Sequence, residues 1–387
     1  MSRPERAAGD PPRILLLSFR DVDPAVSRCA TFEFEDVVAE VDAVEFAALP
    51  AQPCPFPRVV SRLDAHAPFL TAPLRNDPRP GRSRYDLLFV WVHSAGELNR
   101  AQPLSQYLDL ADVTVACVDE LWKSDLFQRT GELALLRRFD HLYSPSAGTI
   151  QALAELTSRP SHYLPPSIDA LRFCPFPANR PREIDVYLMG RRRLELHRAL
   201  REVTAATNRF YLFDTSGHTA VFDYAEHRER LAELIGRTRY FVVDFAKADW
   251  ADQIGDQQEF GVRYFEAAAA GAVLIGRAPR TATFQEVFGW RDSVIPIADE
   301  PGSVRELLDE LDRDTERVLR IRRENVLHSL RRHDHVYRWQ QILANAGLAP
   351  LPAVQERQRR LEERAKRVED DSGAAPLRAL PATAVRP

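Results

Sequence analysis

Short, dense apolar runs alternate along this chain with longer stretches whose apolar positions recur at helical spacing. In the first half the runs are Arg13–Phe19, Asp86–Val92, Asp112–Val118 and Phe139–Pro145, with a helix starting at Ser144 or Ser146 and continuing through Leu156. In the second half they are Ile184–Met189, Phe210–Phe213, Tyr240–Asp244 and Val273–Gly276, with helices expected over 192–206, 224–235 and from the 261 loop to Gly271. Runs this apolar read as strands buried on both faces, and strands alternating with helices of this length imply right-handed crossovers in parallel sheets. The fold class is therefore α/β. Residues 281–288 and 294–297 are expected to complete the sheet region, 304–330 to form one amphipathic helix, and 332–339 to begin a further helix. Residues 50–84, rich in Pro and Arg, read as a loop-heavy insertion. Residues 350–387 read as a charged, flexible tail: a solvated helix whose Val354, Leu361 and Val368 recur every seven residues, followed by disorder.

At 387 residues, with 45% hydrophobic and 28% charged residues, the chain has room for two ordinary globular domains. A formal net charge of -4 argues against a general nucleic-acid binder. Of the 52 basic residues only Lys123, Lys247 and Lys366 are lysines, so lysine chemistry is excluded at most sites. Cys29, Cys54, Cys117 and Cys174 are widely spaced, which indicates neither a zinc knuckle nor a disulfide framework and fits reduced thiols in a cytoplasm. No run approaches the ~20 apolar residues of a membrane span, and the start of the chain lacks a signal-type apolar core. The fingerprints of dinucleotide binding, of P-loops, of the nucleophile elbow and of zinc proteases are absent.

The candidate chemistry centres on residues 257–276: a Gly-marked loop, a helix of small residues ending at Gly271, and an apolar strand. Phe265, Ala268 and Ala269 can pack that helix closely on a sheet, and Arg263 and Glu266 share a face near its start. Glu266 admits two readings here, a ligand-binding carboxylate or an acid favoured by the helix dipole alone. Asp21 and Asp23, after the first strand, read as turn chemistry before Pro24 or as metal ligands. His93 follows the Asp86–Val92 strand at its carboxyl end, where open α/β sheets bind ligands, and is either a cleft residue or a histidine capped by a neighbouring carbonyl. Asp119 and Glu120 read as caps of a following helix. His333, Asp334 and His335 lie too close in sequence to share one helix face, which speaks against a metal site.

Phe260-Gly261, then Glu266, then Ala270-Gly271 before an apolar strand resembles the donor-binding signature of GT-B glycosyltransferases, especially the retaining family-four type. The run Tyr163-Leu164-Pro165-Pro166-Ser167-Ile168-Asp169 through Phe173-Cys174-Pro175 resembles that family's interdomain connection, and 332–343 resembles its closing helix. The resemblance implies two Rossmann-like parallel-sheet domains facing a cleft: residues 1–168 on the acceptor side, 169–349 on the nucleotide-sugar side, with a C-terminal helix crossing back. It implies transfer of a sugar from a UDP- or GDP-sugar without metal or other cofactor and with retained configuration. The acceptor is left open as a glycan, a lipid-linked sugar or a small molecule, and a degenerate nucleotide-sugar binder without turnover is the alternative. Glu266 takes the place of the ribose-binding glutamate. The family's first glutamate is replaced by Gln258, with Glu259 one position late, and an amide can still bond sugar hydroxyls. Gly190-Arg191-Arg192-Arg193 resembles the turn that meets the donor diphosphate, so Gly190, Arg191 or Arg192, Gly261, Val262 and Arg263 are the expected phosphate contacts. His93 becomes the candidate general base if configuration is inverted.

Overall fold

The structure, a computed structural model, describes residues 13–20, 24–48, 81–82, 84–94, 97, 107–126, 130–176, 181–215, 220–247 and 254–370. The Asp21–Asp23 turn, nearly all of the 50–84 insertion and residues 371–387 lie outside the described residues.

Two parallel sheets carry the chain. The first has the order β2-β1-β3-β4-β5-β6, with β1 Ile14–Ser18, β2 Val44–Ala48, β3 Tyr85–Ser94, β4 Ala111–Glu120, β5 His141–Ser144 and β6 Ser161–Tyr163. The second has the order β11-β10-β9-β7-β8, with β7 Ile184–Leu188, β8 Tyr211–Phe213, β9 Thr238–Val243, β10 Val273–Gly276 and β11 Ile295–Pro296. Every pairing within both sheets is parallel. The central strands β1, β3 and β10 are buried on both faces, as their unbroken apolar runs require. Strands β2 and β6, which the apolar pattern missed, form the two opposite edges of the first sheet and are only half-buried, so less of their sequence has to be apolar.

The helices are α1 Cys29–Val41, α2 Lys123–Leu126, α3 Thr130–Leu136, α4 Ile150–Thr157, α5 Ala170–Phe173, α6 Leu194–Ala206, α7 Tyr224–Gly236, α8 Val262–Ala269, α9 Ala282–Phe288, α10 Pro301–Arg313, α11 Thr315–His328, α12 His335–Asn345 and α13 Pro352–Asp370. Three differ from the sequence reading. Residues 282–288 form a helix rather than part of the sheet, because the Thr281 hydroxyl caps it by accepting from the Phe284 amide. The single helix expected over 304–330 is broken at Asp314, whose carboxylate caps the second segment through the Arg317 amide, and it ends in a π turn at Ser329–His333. Residues 352–370 are not a solvated tail. The seam of Val354, Leu361 and Val368, widened by Ala365, is buried, and the buried Arg357 pairs with Asp334 at 2.9 Å, Asp169 at 2.7 Å and Glu40 at 2.6 Å. Partners supplied by the helix ends and by α1 turn a charge-balanced surface helix into a packed one.

The crossing helix is α12. Trp339 Nε1 donates to Asp42 at 3.0 Å and Asn345 to the Tyr143 hydroxyl at 2.8 Å, both in the N-terminal domain. Ile168 in the connection bridges to Asp334, so the linker is clamped where α12 begins. One apolar core joins the facing sides of both domains, from Ile14, Phe34 and Phe89 through Trp339 to Phe265 and Leu274, while each sheet keeps a separate core on its far side. Gly276 closes β10 at φ 150, packed so tightly on the Val243 backbone that no side chain fits there.

A second tie between the domains runs through Arg20. Its guanidinium donates to Glu35 at 2.6 Å, to Asp36 at 2.7 Å and to the Tyr224 hydroxyl of α7 at 2.7 Å, and the Ser18 hydroxyl donates to Glu35 at 2.7 Å. Burial pushes the Glu35 carboxyl up to about 7 against the opposing pull of Arg20 and Ser18. A folded pKa above the unfolded 4.5 means that the native state holds the proton more tightly. Stability should therefore fall as pH rises from 4.5 to about 7 and then level. The expected drop is up to about 3 kcal/mol. Urea unfolding of the wild type and Glu35→Gln across this range checks it: the variant should lose the slope, and parallel profiles would refute the assignment.

Candidate functional site

The carboxyl ends of both sheets face one another, and the predicted site residues divide between them. On the C-terminal side, β7 ends at Leu188 and the chain turns at Gly190, with φ 75. The Gly190 amide donates to Asp214, just beyond β8, at 2.7 Å. An added Cβ at Gly190 would collide with the Arg263 guanidinium. The left-handed backbone favours glycine here, and its N–H, expected to meet a phosphate, is already engaged by Asp214.

The arginines after this turn separate by role. Arg192 bonds the Asp214 carbonyl at 3.1 Å and lies over the Phe213 ring at 5.8 Å, so it is engaged within the domain. Arg193 pairs with Asp244 at 2.8 Å and Asp299 at 2.6 Å. Arg191 is exposed and close enough to Glu120 to help hold that carboxyl low.

The start of α8 completes this side. Gly261 occupies the cap position in extended conformation with no side-chain cap, and a Cβ there would meet nothing within 4 Å. The first amides of a helix have no intrahelical acceptor, so the half-buried Val262 and Arg263 open the helix as a potential anion-binding end. The Arg263 guanidinium has no hydrogen-bond or ion-pair partner among the described residues. Burial lowers its pKa, opposed by nearby Glu266 and Asp214. Glu266, the fifth residue of α8, is buried: Oε1 accepts from Arg228, and Oε2 is buried without a partner among the described residues. Gly190, Arg263 and Glu266 are therefore brought together, while Asp214 and Arg228 are members that sequence reasoning missed. Asp214 could have been found as the acid directly following the β8 run.

Gln258 and Glu259 point opposite ways, as extended backbone dictates. Gln258 accepts from the Arg280 amide at 3.0 Å, while its own amide N–H groups have no partner among the described residues. Glu259 crosses to the other domain, accepting from the Ala147 amide at 3.1 Å and the Gly148 amide at 2.8 Å, and burial raises its pKa. The helical segment opening at Ala147 is thus met by a carboxylate from the opposite domain, whereas Ser146 makes no side-chain cap there.

On the N-terminal side His93 Nδ1 lies 3.1 Å from Asp119, and Nε2 lies 3.7 Å from Glu120. Neither acid caps a helix as expected; both end β4 and face the cleft. Burial works against a charged His93, but the Asp119 hydrogen bond and the surrounding Asp119, Glu120 and Glu97 raise its pKa. Lys247, beyond β9, bonds Glu120 at 2.9 Å across the cleft. His333 and His335 are structural: the first sits 3.1 Å from the Val287 carbonyl, the second pairs with Ser167 and Glu33. No group of three or more metal-type ligands occurs among the described residues.

A family model described as "Glycosyl transferase-like" matches residues 191–344, from the turn after β7 to the end of the crossing helix. An alpha-glucosyltransferase solved with UDP-glucose and DNA superposes with a TM-score of 0.51 at 12% identity, covering 87% of this chain and 100% of that one. This is a GT-B glycosyltransferase fold. The GT-B chain is also similar to a UDP-N-acetylglucosamine 2-epimerase (TM-score 0.49, 10% identity, 87% and 96% covered) and to a glycosyltransferase involved in avilamycin A biosynthesis (TM-score 0.43, 12% identity, 87% and 97% covered). A search of the curated proteins finds no match. Among the described residues, no helix of this GT-B protein is long and apolar enough to cross a membrane.

Proposed function

We propose that the protein transfers a sugar from a nucleoside diphosphate sugar to an acceptor, with residues 1–168 on the acceptor side and 169–349 on the donor side. One observation carries the reading: an uncapped helix start, an arginine unpartnered among the described residues and a buried carboxylate with one oxygen likewise unpaired converge at the ends of β7 and β8. In this reading Glu266 bonds the ribose, Arg263 and Arg191 with the α8 amides hold the diphosphate, and the Gln258 amide positions the sugar. The leaving diphosphate is stabilised by these groups without a metal, and configuration is retained. UDP- and GDP-sugars are the donors to try first, since the similar alpha-glucosyltransferase carries UDP-glucose. The free buried thiols Cys29, Cys117 and Cys174 support a cytoplasmic setting.

A second stereochemical reading has its own support. Asp119 on His93 Nδ1 fixes the ring, the arrangement of a general base, with Nε2 3.7 Å from Glu120. The anomeric coupling of the product distinguishes the two: retention favours the diphosphate-assisted path, inversion assigns proton removal to His93.

Melting scans with UDP, GDP, ADP and dTDP test the donor site, because a ligand at a hundred times its dissociation constant stabilises by about 2.7 kcal/mol. UDP or GDP should shift the midpoint, and the matching sugar nucleotide should be hydrolysed slowly without acceptor. Gln258→Ala should slow that hydrolysis while sparing nucleotide binding. No shift with any diphosphate would refute the proposal.

A further inference from the structure

We infer that Arg228 is a positioning residue for the nucleotide's ribose, and that through Glu33 it builds the donor contact from both domains. The inference rests on the reading of Glu266 as the ribose-binding carboxylate.

Glu266 lies past the first turn of α8, where the pull of the helix dipole has faded. It is only 1% exposed, so neither the helix end nor water accounts for its charge. Its charge partner is Arg228 of α7, itself 2% exposed. One arm of that guanidinium donates to Glu266 Oε1. The other two nitrogens donate to Glu33 of α1, Nε to Oε1 at 3.2 Å and Nη2 to Oε2 at 3.0 Å. The guanidinium carbon lies 4.8 Å from the centre of the Phe173 ring.

Glu33 is held in turn by the Asp169 amide at 3.2 Å and by His335 Nε2 at 3.2 Å, whose Nδ1 lies 2.8 Å from the Ser167 hydroxyl. The chain of contacts therefore runs from the donor carboxylate through the N-terminal domain to the linker and the crossing helix. A guanidinium fixed at both ends leaves Glu266 one orientation, with Oε1 occupied and Oε2 buried without a partner among the described residues. An ionised oxygen without a hydrogen bond is costly to bury, and a sugar hydroxyl is a donor of the right kind to match it. Arg228 thus makes Glu266 a one-oxygen reader of a ribose hydroxyl rather than a symmetrical clamp on the diol.

The test is calorimetry on the full chain with UDP and GDP against their 2′-deoxy and 3′-deoxy forms. For the wild type, one deoxy form should bind about tenfold more weakly than the parent nucleotide. Glu266→Gln should abolish that ratio, and Arg228→Gln should bring it close to one. Arg228→Lys keeps a charge but loses the fork, and should lower the ratio at least about twofold. Leu361→Ala, a buried apolar truncation in α13, should lose stability yet keep the wild-type ratio, which separates positioning from folding. If Arg228→Gln fails to fold, Arg228→Lys decides. An unchanged ratio in the folded Arg228 variants, with the ratio lost in Glu266→Gln, overturns this inference and leaves the Glu266 reading standing. No ribose preference in the wild type overturns both.

Discussion

Glu33→Ala is expected to destabilise the protein by about 3–5 kcal/mol, the cost of breaking a buried ion pair by removing one partner. The side chain is 1% exposed and accepts from Arg228, His335 and the Asp169 amide. Its loss leaves Arg228 with Glu266 alone and removes the Glu33 bond from His335. Burial by itself would raise the Glu33 carboxyl, but Arg228 and the His335 hydrogen bond outweigh it and hold the group well below its usual 4.5. A depressed folded pKa contributes stability above the unfolded value and loses it as pH falls through the folded one. The wild type should therefore weaken progressively below pH 4.5, and Glu33→Ala should lack that part of the acid limb. Urea unfolding at pH 7 and pH 4 measures both effects. The exposed Glu356–Arg359–Glu363 cluster is the control, where solvent screening should leave the stability of Arg359→Ala essentially unchanged. A loss below about 1 kcal/mol for Glu33→Ala would mean that the network does not hold the domains together.

Arg263→Ala should do the reverse, sparing stability while lowering turnover about a hundredfold, the scale set by removing one preorganised donor from a developing anion. In the folded protein this guanidinium is half-buried without an ion-pair or hydrogen-bond partner among the described residues, and burial already lowers its pKa. A cation held this way gives the fold little and is poised for an anionic ligand. Binding of the bare nucleoside should be unchanged, whereas the extra affinity contributed by the diphosphate should shrink. Titrations with uridine and UDP, guanosine and GDP, together with donor hydrolysis rates, read this directly. If the variant keeps the wild-type advantage of diphosphate over nucleoside, Arg263 does not contact phosphate.

Much of this architecture is legible in the residues themselves. The apolar runs at Ile14, Leu87, Val115, Ile184, Tyr240 and Val273 can only be strands buried on both faces, and the spacing between them leaves room for helical crossovers. Gly271, at φ 63, ends α8 as a glycine after a helix should, and Gly190, at φ 75, takes the left-handed turn that glycine favours. These are local properties, set by neighbours a few positions away, so sequence determines them unaided. Only the tertiary structure decided the partners. Arg228 and Glu33 are 195 positions apart, and nothing in the pattern around either distinguishes it from an ordinary surface charge on an amphipathic helix. Asp119 and Glu120 look like helix caps until β3 places His93 beside them, and the 352–370 helix looks solvated until Asp334, Asp169 and Glu40 converge on Arg357. Charges on long side chains acquire roles from whatever the docked domains bring within a few ångströms, and that distance is set by packing rather than by order along the chain.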